Sequence, residues 1–132
     1  MLDKRKELVE RFLRYVAIPS QSTDKVSEVP SSKGQTELAH LLEKELVELG
    51  LCDVFVDEHS ICYGTLKGNC EGPVIGWCSH LDTVDVALSE SIHPQIIHYE
   101  GGDVCLNQEK NIFIWLSEHP ELERYKGDDI IF

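Results

Sequence analysis

The sequence predicts an α/β chain whose sheet is incomplete, on three observations: two amphipathic helices come first, short strands follow, and one strand is apolar on both faces. A helix that packs on one side needs a single apolar stripe, whereas a strand covered by helices on both sides needs apolar residues at every position. Val74 to Cys78 is of the second kind, so a central strand with helices on each face is the expected layering.

Val9, Phe12, Leu13 and Val16 recur at i, i+3, i+4 and i+7 and place a helix from about Asp3 to Ala17, ended by Pro19. Ser20 to Ser32 is polar, turn-rich and aperiodic, a loop between two helices. Its thirteen residues are long for a mere connector, which points to a task. The second helix opens on an S-x-x-Q capping box, Ser32 and Gln35, buries Leu38, Leu41, Leu42, Leu46 and Leu49, and closes at Gly50 with Leu51 packing back. Its Glu43, Glu45 and Glu48 read as a solvated face. Val54 to Val56 and Ile61 to Leu66 read as adjacent strands, and Gly68, Asn69, Gly72 and Pro73 as the turn before the central strand. Beyond it, Ala87 to Pro94 is expected as loop. Gln95 to Tyr99 and Val104 to Leu106 flank a Gly101-Gly102 turn, Ile112 to Trp115 is a short strand, and Ser117 caps a helix through Tyr125. Asp129 to Phe132 begins a strand that stops without a polar tail, as expected of a fragment.

The 132 residues suit one domain, and 24 acidic against 12 basic residues leave a formal charge of −12. So large an acidic excess repels phosphate backbones and anionic headgroups, which makes nucleic acid and membrane surfaces poor partners, and attracts cations. Residues 1–15 carry five basic groups, yet Asp3, Glu7 and Glu10 argue against a transit peptide. The longest apolar runs, Val74 to Cys78 and Ile112 to Leu116, are five residues, too short for a signal core or a membrane span. A cytoplasmic protein is the expectation. Cys52, Cys62, Cys70, Cys78 and Cys105 are odd in number and form no C-x-x-C, so reduced structural thiols are expected, with Cys78 in the core.

Chemistry concentrates where the central strand ends, at Ser79-His80-Leu81-Asp82-Thr83. In open α/β sheets that edge is where ligands bind. His80 and Asp82 are two apart and share a side of an extended backbone. A neutral imidazole ligates zinc, and a carboxylate on its other N–H fixes the tautomer. The spacing by itself is weak, since about one H-x-[DE] is expected by chance in this composition. Three occur, with His98/Glu100 and His119/Glu121 the others, and only His80 follows a buried strand. On the residues alone, His80 is either a metal ligand or a satisfied histidine at a strand end. His40 and His59 read as packing or solvated residues. No phosphate loop, G-x-S-x-G elbow or H-E-x-x-H helix is present.

Read whole, the chain resembles the peptidase T, or tripeptide aminopeptidase, group of the M20 family of metallopeptidases. The resemblance rests on Val29-Pro30-Ser31-Ser32-Lys33-Gly34-Gln35, on Ile75-Gly76-Trp77-Cys78-Ser79-His80-Leu81-Asp82-Thr83, and on Pro94-Gln95-Ile96-Ile97 with Tyr99 and Gly101-Gly102-Asp103, in that order. It implies that residues 1–132 are the N-terminal portion of a three-layer zinc-exopeptidase-like catalytic domain, an incomplete sheet flanked by helices, with the lid and dimerisation domain absent. It implies release of the N-terminal residue of short peptides, tripeptides first, by water activated between two zinc ions. His80 would be a zinc ligand, and Asp82, the catalytic-site carboxylate, would hold it in orientation. The full-length protein would be a candidate homodimer. The metal-bridging aspartate of the group lies in a Gly-Ala-Asp-Asp stretch that Asp128-Asp129 does not match, and the catalytic glutamate and remaining ligands would lie farther on. At most one zinc would therefore be held, weakly, and the chain alone would be inactive. Thr83 is followed by Val84-Asp85-Val86, where many members have a small residue, proline and aspartate, which leaves a different short peptide open as substrate. The rival from another class is a non-catalytic α/β module that binds a partner or one metal ion through His80. The two are separated by whether Ile130 to Phe132 finds sheet neighbours within this chain.

Overall fold

The computed structural model describes residues 4–85 and 92–132. It divides into two units, Met1–Ile92 and His93–Phe132. The start of the first helix at Asp3 and most of the expected loop from Ala87 to Pro94 lie outside the described residues.

In the first unit, α1 spans Lys4–Val16 and α2 spans Lys33–Glu48. The α1 stripe is only partly covered, with Val9, Leu13 and Val16 half-buried and Phe12 exposed. What joins α1 to α2 is Glu45, which is 6% exposed. Its carboxylate accepts from Arg14 Nη2 at 2.6 Å, lies 3.5 Å from Arg11 Nη1 and accepts from the Tyr15 hydroxyl. The expectation of a solvated Glu45 is corrected here. Position 45 follows Leu38 by seven residues and Leu42 by three, so it lies on the buried stripe, and the two arginines make a buried carboxylate tolerable.

At its start, α2 differs in detail from the expected capping box. Ser32 is the N-cap, but its hydroxyl makes no cap bond and is buried without a partner. Gln35 Oε1 instead accepts from the Ser31 N–H at 3.1 Å, one residue earlier than the box prescribes. The glycine close is as expected, whereas Leu49, expected on the buried face, is exposed at the helix end. Gly50 sits at φ +85°, its N–H reaches Val47 O, and Leu51 N–H reaches back to Leu46 O, the pattern of a Schellman cap.

The strands β1, Cys52–Val56, and β2, Cys62–Thr65, pair antiparallel with a bulge between Cys52 and Phe55. Phe55 and Tyr63 stack at 4.8 Å. Their turn is built by Asp57, whose Oδ1 accepts from Ile61 N at 2.8 Å and His59 N at 3.0 Å. Those backbone N–H groups, Ile61 first, hold the Asp57 carboxyl below its ordinary pKa. The hairpin lies on α2, and Gly64 permits the approach: a Cβ there would come within 3.1 Å of Leu51 Cδ2 and 3.3 Å of Leu46 Cδ1.

Val74 to Cys78 forms no strand, and this corrects the expected covered central strand. Val74, Ile75 and Trp77 are 98%, 73% and 92% exposed, and Cys78, expected in the core, is exposed. A segment apolar on both faces becomes a strand only when neighbours pair with it and helices cover it, and no described element of this chain does so.

The second unit contains β3, Ile96–His98, β4, Val104–Asn107, β5, Ile112–Ile114, a 3-10 helix at Pro120–Tyr125, and β6, Asp129–Ile131. The strands flanking Gly101-Gly102 do not pair with each other. Instead β3 pairs antiparallel with β6, and β4 with β5. Tyr99 explains why: it is 2% exposed, its backbone N–H and C=O engage Asp128 O and Gly127 N, and its hydroxyl donates to Gly102 O at 2.9 Å. The glycine turn is thus folded over the ring, and β3 turns towards β6. The helix expected from Ser117 is shorter and tighter, because Pro120 can enter only in the first turn.

Candidate functional site

His80 lies in backbone outside any helix or strand, with its side chain 81% exposed. Its Nδ1 faces two acceptors of one residue, the Asp82 carbonyl oxygen at 2.8 Å and Asp82 Oδ1 at 3.2 Å. Neither oxygen can donate while the carboxylate is ionised, so Nδ1 carries the hydrogen and the Nε2 of a neutral ring keeps its lone pair. This is the state in which a histidine presents nitrogen to a metal. The Asp82 carboxylate is held below its ordinary pKa, first by the Ser22 hydroxyl and then by His80, against partial burial.

The position of this pair comes from far away in sequence. Gln21 and Thr83 form a parallel bridge, Ser22 N–H donates to Thr83 O at 2.9 Å, and Thr83 N–H reaches Ser20 O at 3.3 Å. Sequence reasoning missed Ser22, although the length of the Ser20 to Ser32 loop was the available signal. The pair edges a concavity of about 820 Å³ whose walls include Leu42, Leu46, Ile61 and Trp77, with Pro30 and Gln35 from the loop and the start of α2. The arrangement is an imidazole oriented by a carboxylate beside an apolar hollow.

The other histidine–acid pairs are placed differently. His98 Nδ1 meets Asp129 Oδ1 across β3 and β6 at 2.9 Å rather than Glu100. His119 Nδ1 lies 3.2 Å from Glu121. His40 is exposed and pairs with Glu43 at 3.0 Å, and His59 is exposed in the hairpin turn. All five cysteines are free thiols.

The donor set decides how far a metal reading extends. Among the described residues no three His, Cys, Asp or Glu side chains come together so as to hold a metal ion. The chain therefore fits one anchoring ligand with its orienting carboxylate, and does not fit a closed zinc site, which takes three or four protein groups.

Helices with small antiparallel strand pairs, and a carboxylate-oriented histidine at the edge of an apolar hollow, define an α/β chain with a candidate site. The particular relatives are peptidases by name. The chain is 48% identical over 128 residues to a peptidase T-like protein of Rhizobium meliloti (strain 1021), which covers 96% of this chain and 31% of that protein. It is 46% identical over 127 residues to a peptidase T-like protein of Yersinia pestis, with the same shares of 96% and 31%. It is 41% identical over 129 residues to a peptidase T of Clostridium botulinum (strain Loch Maree / Type A3), covering 96% of this chain and 32% of the relative. No family model matches the chain. The chain is thus a relative of the peptidase T group along almost its whole length, and it spans about a third of the length of the relatives it matches.

Proposed function

We propose that residues 1–132 form the N-terminal portion of the catalytic domain of an M20-type metallo-aminopeptidase of the peptidase T kind, which releases the N-terminal residue of short peptides, tripeptides first. The observation that carries this reading is identity of 41–48% over 96% of the chain to proteins of that name. The Nδ1–H of His80 held on Asp82 supports it. In this reading His80 is a zinc ligand and Asp82 its orienting residue. The three-layer fold, the second zinc, the catalytic glutamate and a lid or dimerisation domain depend on residues beyond these 132. A zinc pair, if bound, would polarise the substrate carbonyl and activate a water. This chain's share is to hold one imidazole at a fixed tautomer, and no catalytic step is assigned to the chain alone. The reading places the protein in the cytoplasm, and no helix among the described residues is long and apolar enough to cross a membrane.

The exposed run Val74, Ile75 and Trp77 favours the same reading, because a strand with two apolar faces belongs between neighbours. One observation favours the rival, a self-sufficient α/β binding module: β6 does find a partner within the chain, pairing with β3 from Ile96↔Ile131 to His98↔Asp129. The test is a chimera in which this chain replaces the matching segment of the Yersinia pestis peptidase T-like protein. It should hydrolyse short peptides in a zinc-dependent manner, and His80→Ala should abolish turnover. A folded chimera whose activity ignores His80→Ala would overturn the assignment.

A further inference from the structure

The imidazole at position 80 is oriented by a residue two positions away, but that residue would itself be loose in an exposed, unpaired segment unless something distant held it. The segment Ser20–Ser22 does so. Ser22 contributes its backbone N–H to Thr83 O at 2.9 Å, and its hydroxyl donates to the same oxygen at 3.2 Å. Ser20 O receives Thr83 N–H at 3.3 Å. Ser20 is 3% exposed and is tied in turn to α2, whose Gln35 donates Nε2–H to Ser20 O at 3.4 Å and to Ser31 Oγ at 3.2 Å. Gln35 is 8% exposed, and next to it Gly34 allows α2 to touch the Pro19 carbonyl, where a Cβ would stand 1.9 Å from the oxygen. A rigid helix start, a buried serine and a bridging serine thus form a continuous chain of support ending at Asp82 and His80.

We infer that Ser22 is a positioning residue for His80, acting through Thr83: by fixing the backbone next to Asp82 it keeps the Asp82 carbonyl and carboxylate oxygens on Nδ1, so that Nε2 is the nitrogen offered to a ligand. The inference rests on His80 being a ligand only for its purpose, since the geometry itself requires no metal. The Ser22 hydroxyl and N–H both donate to the Thr83 carbonyl, which has two lone pairs to receive them, and so tie the loop to residues 82–83. Without the hydroxyl, the Thr83 carbonyl loses one of its two donors, the neighbouring Asp82 is held less firmly, its hold on Nδ1–H weakens, and the Nε2–H tautomer gains.

The test uses the 132-residue chain labelled with ¹⁵N-histidine, at a pH where the imidazole is neutral, with the His80 tautomer read from long-range ¹H–¹⁵N couplings. The wild type should show His80 mainly as the Nδ1–H form. Ser22→Ala should shift the tautomer ratio towards Nε2–H by a factor on the order of 5, the net worth of one hydrogen bond. Amide resonances of α2 and of the β1–β2 hairpin should stay in place. Ser22→Thr, which keeps the hydroxyl, should restore the wild-type ratio, and its shape-matched counterpart Ser22→Val should not. That pair separates hydroxyl from volume even if the alanine variant is too unstable to measure. A ratio that is the same in Ser22→Thr and Ser22→Val, or a wild type already in the Nε2–H form, would overturn the inference. The chimera described above separates it from the peptidase reading: a hydroxyl-dependent tautomer in this chain, together with a folded chimera whose activity ignores His80→Ala, leaves the positioning role standing and removes the metal role.

Discussion

Replacing Glu45 by alanine should detach α1 from α2, and the size of the effect can be worked from the contacts. Glu45 receives a charge-assisted hydrogen bond from Arg14 at 2.6 Å, a longer contact from Arg11 at 3.5 Å, and the Tyr15 hydroxyl. Hydrogen bonds to charged groups contribute about 1.5–3 kcal/mol each, and breaking a fully buried pair costs about 3–5 kcal/mol. The arginine heads are not fully buried, at 49% and 24% exposed, so water recovers part of the loss. An expected cost of about 2–3 kcal/mol for Glu45→Ala at neutral pH follows. Glu45→Gln, which keeps shape and one acceptor, should cost about half as much. The pH dependence is the sharper check. Burial alone would raise the Glu45 pKa, but the Tyr15 and Arg14 hydrogen bonds and the arginine charges outweigh it and leave the carboxyl lowered. A lowered folded-state pKa means that the stabilisation is present above the unfolded carboxyl's pKa and is lost as pH falls through the folded one. Urea unfolding of wild type and Glu45→Gln, followed by far-UV circular dichroism, should therefore show a gap at neutral pH that closes in acid, as the lowered Glu45 carboxyl is protonated. A gap that persists unchanged in acid, or one under about 0.5 kcal/mol at neutral pH, would refute the view that this carboxylate clamps the two helices.

Gly34→Ala should destabilise by about 1–3 kcal/mol as an overpacking change, because its Cβ would meet the Pro19 carbonyl oxygen at 1.9 Å and backbone must move; urea unfolding reads it. Gly50→Ala meets no neighbour but must adopt φ +85°, so it should cost about 1 kcal/mol by the same measurement. Asp57→Ala removes the acceptor for Ile61 and His59 N–H and should loosen the β1–β2 turn, seen as faster amide exchange at those two residues; the wild type should lose the same protection as acid titrates the lowered Asp57 carboxyl. Thiol titration should resolve the exposed Cys70, Cys78 and Cys105 as fast and the half-buried Cys52 and Cys62 as slow, with Cys62 slowest because burial raises its pKa. A fast Cys62 would contradict its position under α2.

What could be read in advance follows from how local each interaction is. The span of α2 and its glycine close were legible because stripe, C-cap and the apolar residue beyond it lie within a few residues of one another. Glu45 was misread because its partners Arg11, Arg14 and Tyr15 are about thirty residues away, and a carboxylate among Glu43 and Glu48 looks solvated until they are known. The run Val74 to Cys78 announces the environment it needs, not one that these residues supply. The strand at Asp129 was visible, but its partner was not: β3 could have turned back on β4, and the buried Tyr99 decided for β6.

The same distinction separates the two halves of the candidate site. The contact between His80 Nδ1 and Asp82 spans two residues and needs only extended backbone, so a short peptide could visit it. Its persistence is another matter, because Ser22 lies 61 residues from Thr83, and fixing so distant a pair becomes favourable only once the fold has already closed the loop. Chemistry that requires one imidazole nitrogen to be ready at all times must draw on the second kind of contact. The start of α2, held to Ser20 by Gln35 and pressed on Pro19 at Gly34, is therefore as much a part of the site as the histidine it never touches.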